Sequence, residues 1–159
     1  MSSPEGDSVR PFHLAFPVID LVATERFYVD VIGCGIGRRT DRSLNLNMHG
    51  HQIVAHLVTT MPDMTDGGRV DGKKVPPFHF GIILEPHAWE ALRDRLIEHE
   101  VRFRIPPHIR YPGSIGEQRT LFLDDPSGNA IEFKSFEEDE RIFAVMDGRA
   151  HVEGGGRIP

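Results

Sequence analysis

Apolar and polar residues alternate strictly through "SLNLNMH" (43–49): Leu44, Leu46 and Met48 fall on one face, Asn45 and Asn47 on the other. Successive strand side chains point to opposite faces, so this pattern predicts a half-buried strand with one polar side. Beyond a turn at Gly50, "HQIVAHLV" (51–58) predicts a second strand on which Gln52, Val54, His56 and Val58 point one way, the two forming a hairpin. Upstream, "FHLAFPVID" (12–20) carries β-forming residues, with Pro17 marking a strand end or a sheet edge. In "VATERFYVDVIG", Val22, Phe27, Val29 and Val31 are mixed with polar residues as in a short amphipathic helix, which Gly33 and Gly35 would end.

The same order recurs downstream. "FHFGIIL" (78–84) predicts a strand, and residues 87–101 predict a helix with Trp89, Leu92, Leu96 and Ile97 at helical spacing. Strands follow at "VRFRI" (101–105), "QRTLFLDD" and "NAIEFKSF", the last two joined by the turn "DPSG", while "PPHIRYPGSIGE" (106–117) reads as a Pro/Gly-rich loop. "PFHLAF" (11–16) thus returns sixty-six positions later as "PFHFGI" (77–82), and each copy is followed by helix and three strands, "IGRR" being the weak second strand of the first half. The expected fold is α+β: two paired βαβββ modules forming a curved mixed sheet around a central metal-binding cavity. A flexible lead spans 1–10, the first module 11–60, a linker without regular structure 61–76, the second module 77–136, and a polar tail 137–159 in which "IFAVM" (142–146) is a docking arm.

Composition narrows the function. A chain of 159 residues can bury roughly 70% of its unfolded surface. No run approaches the ~18 apolar residues of a membrane span, and the polar start lacks a secretory signal, giving the expectation of a cytoplasmic protein. A net charge of −6 with scattered Lys and Arg argues against nucleic acid. Cys34 is the only cysteine, which excludes an internal disulfide and paired CxxC zinc sites, and it is expected as a reduced, partly buried thiol.

Four residues stand at matching places in the repeat: His13 and His79 on the first strand of each half, His56 and Glu132 on the last. A lone strand histidine is usually a packed or exposed residue; it is the set that points to a site. By parity, Phe12, Leu14 and Phe16 lie opposite His13, Phe78, Phe80 and Ile82 opposite His79, and Ile131 and Phe133 opposite Glu132, so all three face away from the apolar core. Imidazole and carboxylate together suit divalent first-row metals, and two histidines with one carboxylate leave positions open for substrate. His108, Arg110, Tyr111, Glu117 and Gln118 would line the mouth of the cavity or act on a substrate, Gln118, Thr120 and Phe122 would share the inward face, and Asn45 and Asn47 would add amide hydrogen bonds. His56, His108 and Gln118 are therefore the catalytic candidates, and Asn45, Asn47, Arg110, Tyr111 and Phe122 the substrate-binding ones.

The repeat, the opening histidines and the closing "DPSGNAIEF" resemble the vicinal oxygen chelate superfamily, which includes glyoxalase I, extradiol dioxygenases, fosfomycin-resistance enzymes and bleomycin-binding proteins. "PFHLAFPVIDL", "GHQIVAHL", "PHIRYPG" and "GEQRT" are similar to small predicted dioxygenases of the extradiol type, over about residues 11–136. The resemblance implies His13, His79 and Glu132 as metal ligands, with His56 where glyoxalase I enzymes place a glutamate, as a fourth ligand or a nearby base. Phe122 stands where ring-cleaving enzymes carry a tyrosine, and it cannot donate a hydrogen bond. The implied activity is an extradiol-type dioxygenase holding Fe(II), with Mn, Ni, Zn or Co as alternatives, acting on a small molecule with adjacent oxygens while His56 or His108 moves a proton. The competing readings are a lyase or isomerase on a non-redox metal, and a metal-free binding or resistance protein. The modules would pair either within one chain or across a homodimer.

Overall fold

The computed structural model describes residues 9–63, 68–70 and 72–145, with the side chain of Val70 excepted. Most of the expected lead and the end of the expected tail, including Met146, lie outside the described residues. The chain divides into two compact units, the first ending at Thr59 and the second beginning at Thr60.

In the first unit, β1 (His13–Val18), α1 (Leu21–Glu25), β2 (Gly35–Arg39), β3 (Ser43–Met48) and β4 (His51–Leu57) form a four-stranded sheet in the order β1-β4-β3-β2. β1 runs parallel to β4, and the other pairs are antiparallel. Pro17 lies inside β1 rather than ending it, because β1 is an edge strand and one side of its backbone needs no partner. Phe16, Val18, Leu44, Leu46, Met48, Ile53 and Ala55 are buried on the apolar side. Asp20 caps α1 by accepting from the Ala23 amide (2.9 Å).

The helix departs from the expected pattern. Arg26–Ile32 continues α1 as a π-helical segment, which Gly33 closes with φ 91°. The buried positions are Leu21 and Thr24 in α1 and Tyr28 and Ile32 in the π-helical segment, while Val22 is exposed. Cys34 follows, buried, and burial pushes its thiol up to about 12 from 9.0. Between those values the unfolded state binds fewer protons than the folded one, so stability falls as pH rises, by up to about 1.4 kcal/mol per pH unit. Urea melts at about pH 8.5 and about pH 10.5 should show this loss in the wild type and a smaller one in Cys34→Ala.

In the second unit, β7 (Phe80–Leu84), α2 (Pro86–Glu98), β8 (Phe103–Arg110), β9 (Gln118–Asp124) and β10 (Ala130–Ser135) repeat the topology in the order β7-β10-β9-β8. Proline at its first turn starts α2, whose Trp89, Leu92 and Leu96 are buried while Ile97 is exposed. Trp89 Nε1 donates to the Phe133 carbonyl (2.9 Å), tying helix to sheet. The expected linker does contain regular structure: β5 (Arg69–Val70) pairs antiparallel with β6 (Lys73–Lys74). Val75, just after it, is buried with Ile105 and Phe122. After β10 a short 3-10 turn covers Asp139–Arg141, and Phe143 and Val145 are exposed rather than docked.

Two four-stranded mixed sheets, each with its βαβββ order, thus confirm the expected α+β class.

Candidate functional site

Register decides which polar side chains meet on the second sheet. Glu132 lies opposite Gly81 on one side and Phe122 on the other, and Lys134 lies opposite Ile83 and Thr120. On the far side of β9, His108 pairs with Thr120 and Arg110 with Gln118. Side chains at paired positions share a face, so Glu132, Lys134, Phe122, Thr120, Gln118, His108 and Arg110 stand together, with His79 one residue ahead of β7. Leu121, Leu123, Ile131 and Phe133, all buried, take the other face.

His79 and Glu132 come together there, with Nε2 at 3.4 Å from Oε2. Each is held by its remaining polar atom. His79 Nδ1 donates to the Pro76 carbonyl (3.1 Å), which fixes the ring so that Nε2 is turned to the carboxylate. Glu132 Oε1 accepts from the Thr120 hydroxyl (2.8 Å), a buried bond, and Glu132 itself is buried. The Phe122 ring meets His79 edge-on at a centroid distance of 5.4 Å. Two electron-rich atoms that face one another, each with its orientation already fixed, form a donor pair suited to a divalent cation. Among the described residues, no group of three or more His, Cys, Asp or Glu side chains stands close enough to hold a metal ion, so His79 and Glu132 are a pair and the expected ligand His13 is not grouped with them. Lys134 Nζ is 3.7 Å from Glu132 Oε2. A cleft of about 230 Å³ opens here, lined by His79, Phe80, Gly81, Ile82, Ile83, Glu132 and Lys134.

Gly81 permits the approach of β7 to β10. A Cβ at that position would lie 1.5 Å from the Glu132 carbonyl oxygen.

On the first sheet, His13 lies opposite Gln52, and its Nδ1 donates to Gln52 Oε1 (2.8 Å). Both repeat histidines therefore spend the Nδ1 proton on an oxygen acceptor. His56, by contrast, lies opposite Pro17 and Ser43. Four residues beyond Gln52, it is about 13 Å along the strand from His13's neighbour. The expectation that His56 matches Glu132 is corrected by this register: Ala15 opposite Val54 corresponds to Gly81 opposite Glu132, so the matching residue is Val54. His56 corresponds to Lys134, since they oppose Ser43 and Thr120 at the same step. Asn45 and Asn47 lie on the face of His13, with Asn47 Oδ1 accepting from the Gly50 amide (2.7 Å).

The predicted loop over 106–117 is also corrected, because β8 continues through Pro106 and Pro107 to Arg110. Proline lacks the N–H that a central strand requires, but β8 is an edge strand with register shifts on either side of Ile105. His108 and Arg110 are consequently strand residues; His108 Nδ1 donates to the Pro106 carbonyl (2.9 Å) and the Arg110 guanidinium stacks on Tyr111 at 4.8 Å. Tyr111 takes φ 53°, turning the chain into 112–117, where Glu117 Oε2 accepts from the Gly113 amide (2.5 Å). Gln118 donates from Nε2 to the Gly116 carbonyl (3.3 Å), while its Oε1 is buried without a hydrogen-bond partner. Phe122 is not a substrate-facing ring: it is 1% exposed, packed beneath His79 with Val75 and Ile105.

Sequence reasoning missed Gln52 and the Pro76 carbonyl as histidine-orienting groups, and it gave Lys134 no role. Lys134 was marked only by sharing Glu132's parity, and a backbone carbonyl has no sequence signal at all.

Comparison with known proteins bears on the family and the fold. The model of the Glyoxalase/Bleomycin resistance protein/Dioxygenase superfamily matches residues 10–133. A Bacillus subtilis (strain 168) catechol-2,3-dioxygenase is 27% identical over 129 residues, covering 76% of this chain but 40% of that protein, so the chain spans less than half of the relative's length. A glyoxalase/bleomycin resistance protein/dioxygenase from Alicyclobacillus acidocaldarius is 32% identical with a TM-score of 0.71, over 90% of this chain and 100% of that one. The fosfomycin resistance protein FosX of Listeria monocytogenes shares the fold, with a TM-score of 0.58 at 18% identity over 89% and 99% of the two chains.

Proposed function

Since the chain belongs to the Glyoxalase/Bleomycin resistance protein/Dioxygenase superfamily, we propose that it is a metal-dependent vicinal oxygen chelate enzyme, an extradiol-type dioxygenase acting on a small molecule with adjacent oxygens. The observation that carries this reading is the His79–Glu132 pair, 3.4 Å apart with each partner oriented from behind. The distant similarity to a catechol-2,3-dioxygenase supports iron as the metal.

In this reading His79 Nε2 and Glu132 Oε2 would hold the ion, and a His13, from this chain or from a second copy, would be the third donor. A bound divalent ion supplies Lewis acidity toward the substrate's oxygens and, as iron, access to dioxygen chemistry. Thr120 keeps the carboxylate in one orientation, and Phe122 with Val75 and Ile105 excludes water from behind the imidazole. His108, on the same face and opposite Thr120, is the proton carrier of this proposal. Asn45, Asn47, Arg110 and Tyr111 are its substrate-binding residues, with Gln118 beside Arg110.

One observation favours a second reading, a metal-free binding protein: Lys134 stands 3.7 Å from Glu132 and by itself offsets part of the carboxylate's charge. Metal analysis of anaerobically purified protein separates the two. About one iron per chain is expected; no first-row metal, even after reconstitution, overturns the enzyme reading, and nickel, zinc or cobalt at that level replaces it with a lyase or isomerase.

A further inference from the structure

We infer that Lys134 makes this site select substrates that carry an anionic group, such as a carboxylate, beside their adjacent oxygens; the inference rests on the functional reading above and names the substrate class for it.

Lys134 is two residues past Glu132 on the same strand face, and its partly buried side chain, 32% exposed, lines the same cleft. Its Nζ is 3.7 Å from Glu132 Oε2, outside hydrogen-bonding range, so the carboxylate takes none of the ammonium's three N–H groups in a hydrogen bond. Glu132 is oriented instead by Thr120, at 2.8 Å.

The neighbouring rows add to the positive side. The row of Lys134 continues through Thr120 to His108, and the next row holds Gln118 and Arg110. Neither row contains an Asp or Glu, so away from Glu132 this end of the face is cationic and amide-rich. A divalent ion held at Glu132 would sit close to the Lys134 ammonium, and two like charges at that range repel. An anionic substituent placed between them offsets the repulsion and meets the N–H donors of Lys134, which a neutral substituent does not.

The test compares two probes that differ by one carboxylate, catechol and 3,4-dihydroxybenzoate. Binding to the full chain is measured anaerobically by calorimetry, with and without iron loading, and iron content is determined on the same samples. The wild type is expected to bind 3,4-dihydroxybenzoate about 10-fold or more tightly than catechol. Lys134→Met, which keeps the apolar stem and removes the charge, is expected to bring the ratio near one, and Lys134→Arg to restore part of the preference. A ratio near one in the wild type, an undiminished ratio in Lys134→Met, or no binding of either probe would overturn the inference. If no metal binds but the ratio and its loss persist, the anion selectivity stands and the enzyme reading falls. If iron binds and the ratio is near one, the reverse holds.

Discussion

Glu132→Ala is expected to lose its iron, with affinity reduced at least about 100-fold, and to lose any ring-cleaving activity with it. The structure concentrates this effect on one residue. Glu132 is buried, its Oε1 is committed to Thr120, and its Oε2 is the oxygen turned to His79 Nε2. No other carboxylate of the second unit is grouped with His79 among the described residues. Glu132→Gln separates charge from packing, because the amide oxygen can still accept from Thr120 while the negative charge is gone. Iron content, measured by emission spectroscopy after desalting, should fall in both variants, with the fold retained by circular dichroism. Wild-type iron content in folded Glu132→Ala would remove the carboxylate from the metal site and with it the proposed mechanism.

Gly81→Ala should destabilise the second unit by about 3 kcal/mol, the upper end of the usual cost of overpacking. A Cβ there meets the Glu132 carbonyl oxygen at 1.5 Å and its carbonyl carbon at 2.6 Å, and neither is a flexible side-chain end that could swing aside. β7 or β10 must move, and Glu132 moves with β10. For a chain of 159 residues a loss of about 3 kcal/mol corresponds to roughly 6–12 °C in melting temperature. Ala15 occupies the matching step of the first sheet, opposite Val54, so the topology as such accepts alanine; the close approach at Gly81 is what does not. A variant melting within a few degrees of wild type would show that β7 stands farther from β10 than the structure has it. If only the melting temperature fell and iron affinity did not, the shift would have bypassed the carboxylate.

The faces of the strands were legible because alternation is a local property. Leu44, Leu46 and Met48 are buried and Asn45 and Asn47 turn away from them, as "SLNLNMH" requires. The repeated "PFH" segments likewise marked two equivalent modules, and the sheets share one strand order. Helical position was less legible: burial fell on Leu21, Thr24, Tyr28 and Ile32 and left Val22 exposed, so the buried stripe includes a threonine and a tyrosine that the apolar residues alone did not mark. The prolines at 106 and 107 hid the part of β8 beyond Ile105, since proline signals a loop unless the strand is known to be an edge.

Within this chain, then, sequence alone determined which residues belong to the polar faces, and that two such faces exist. Tertiary structure decided which of them are neighbours. Period-two alternation assigns a side but leaves register open, and a slip of two residues keeps every side chain on its face while changing every partner. Long-range pairing therefore put Val54 rather than His56 at the place of Glu132, set Gln52 beside His13, brought Thr120 under the Glu132 carboxylate, and stood Lys134 next to it.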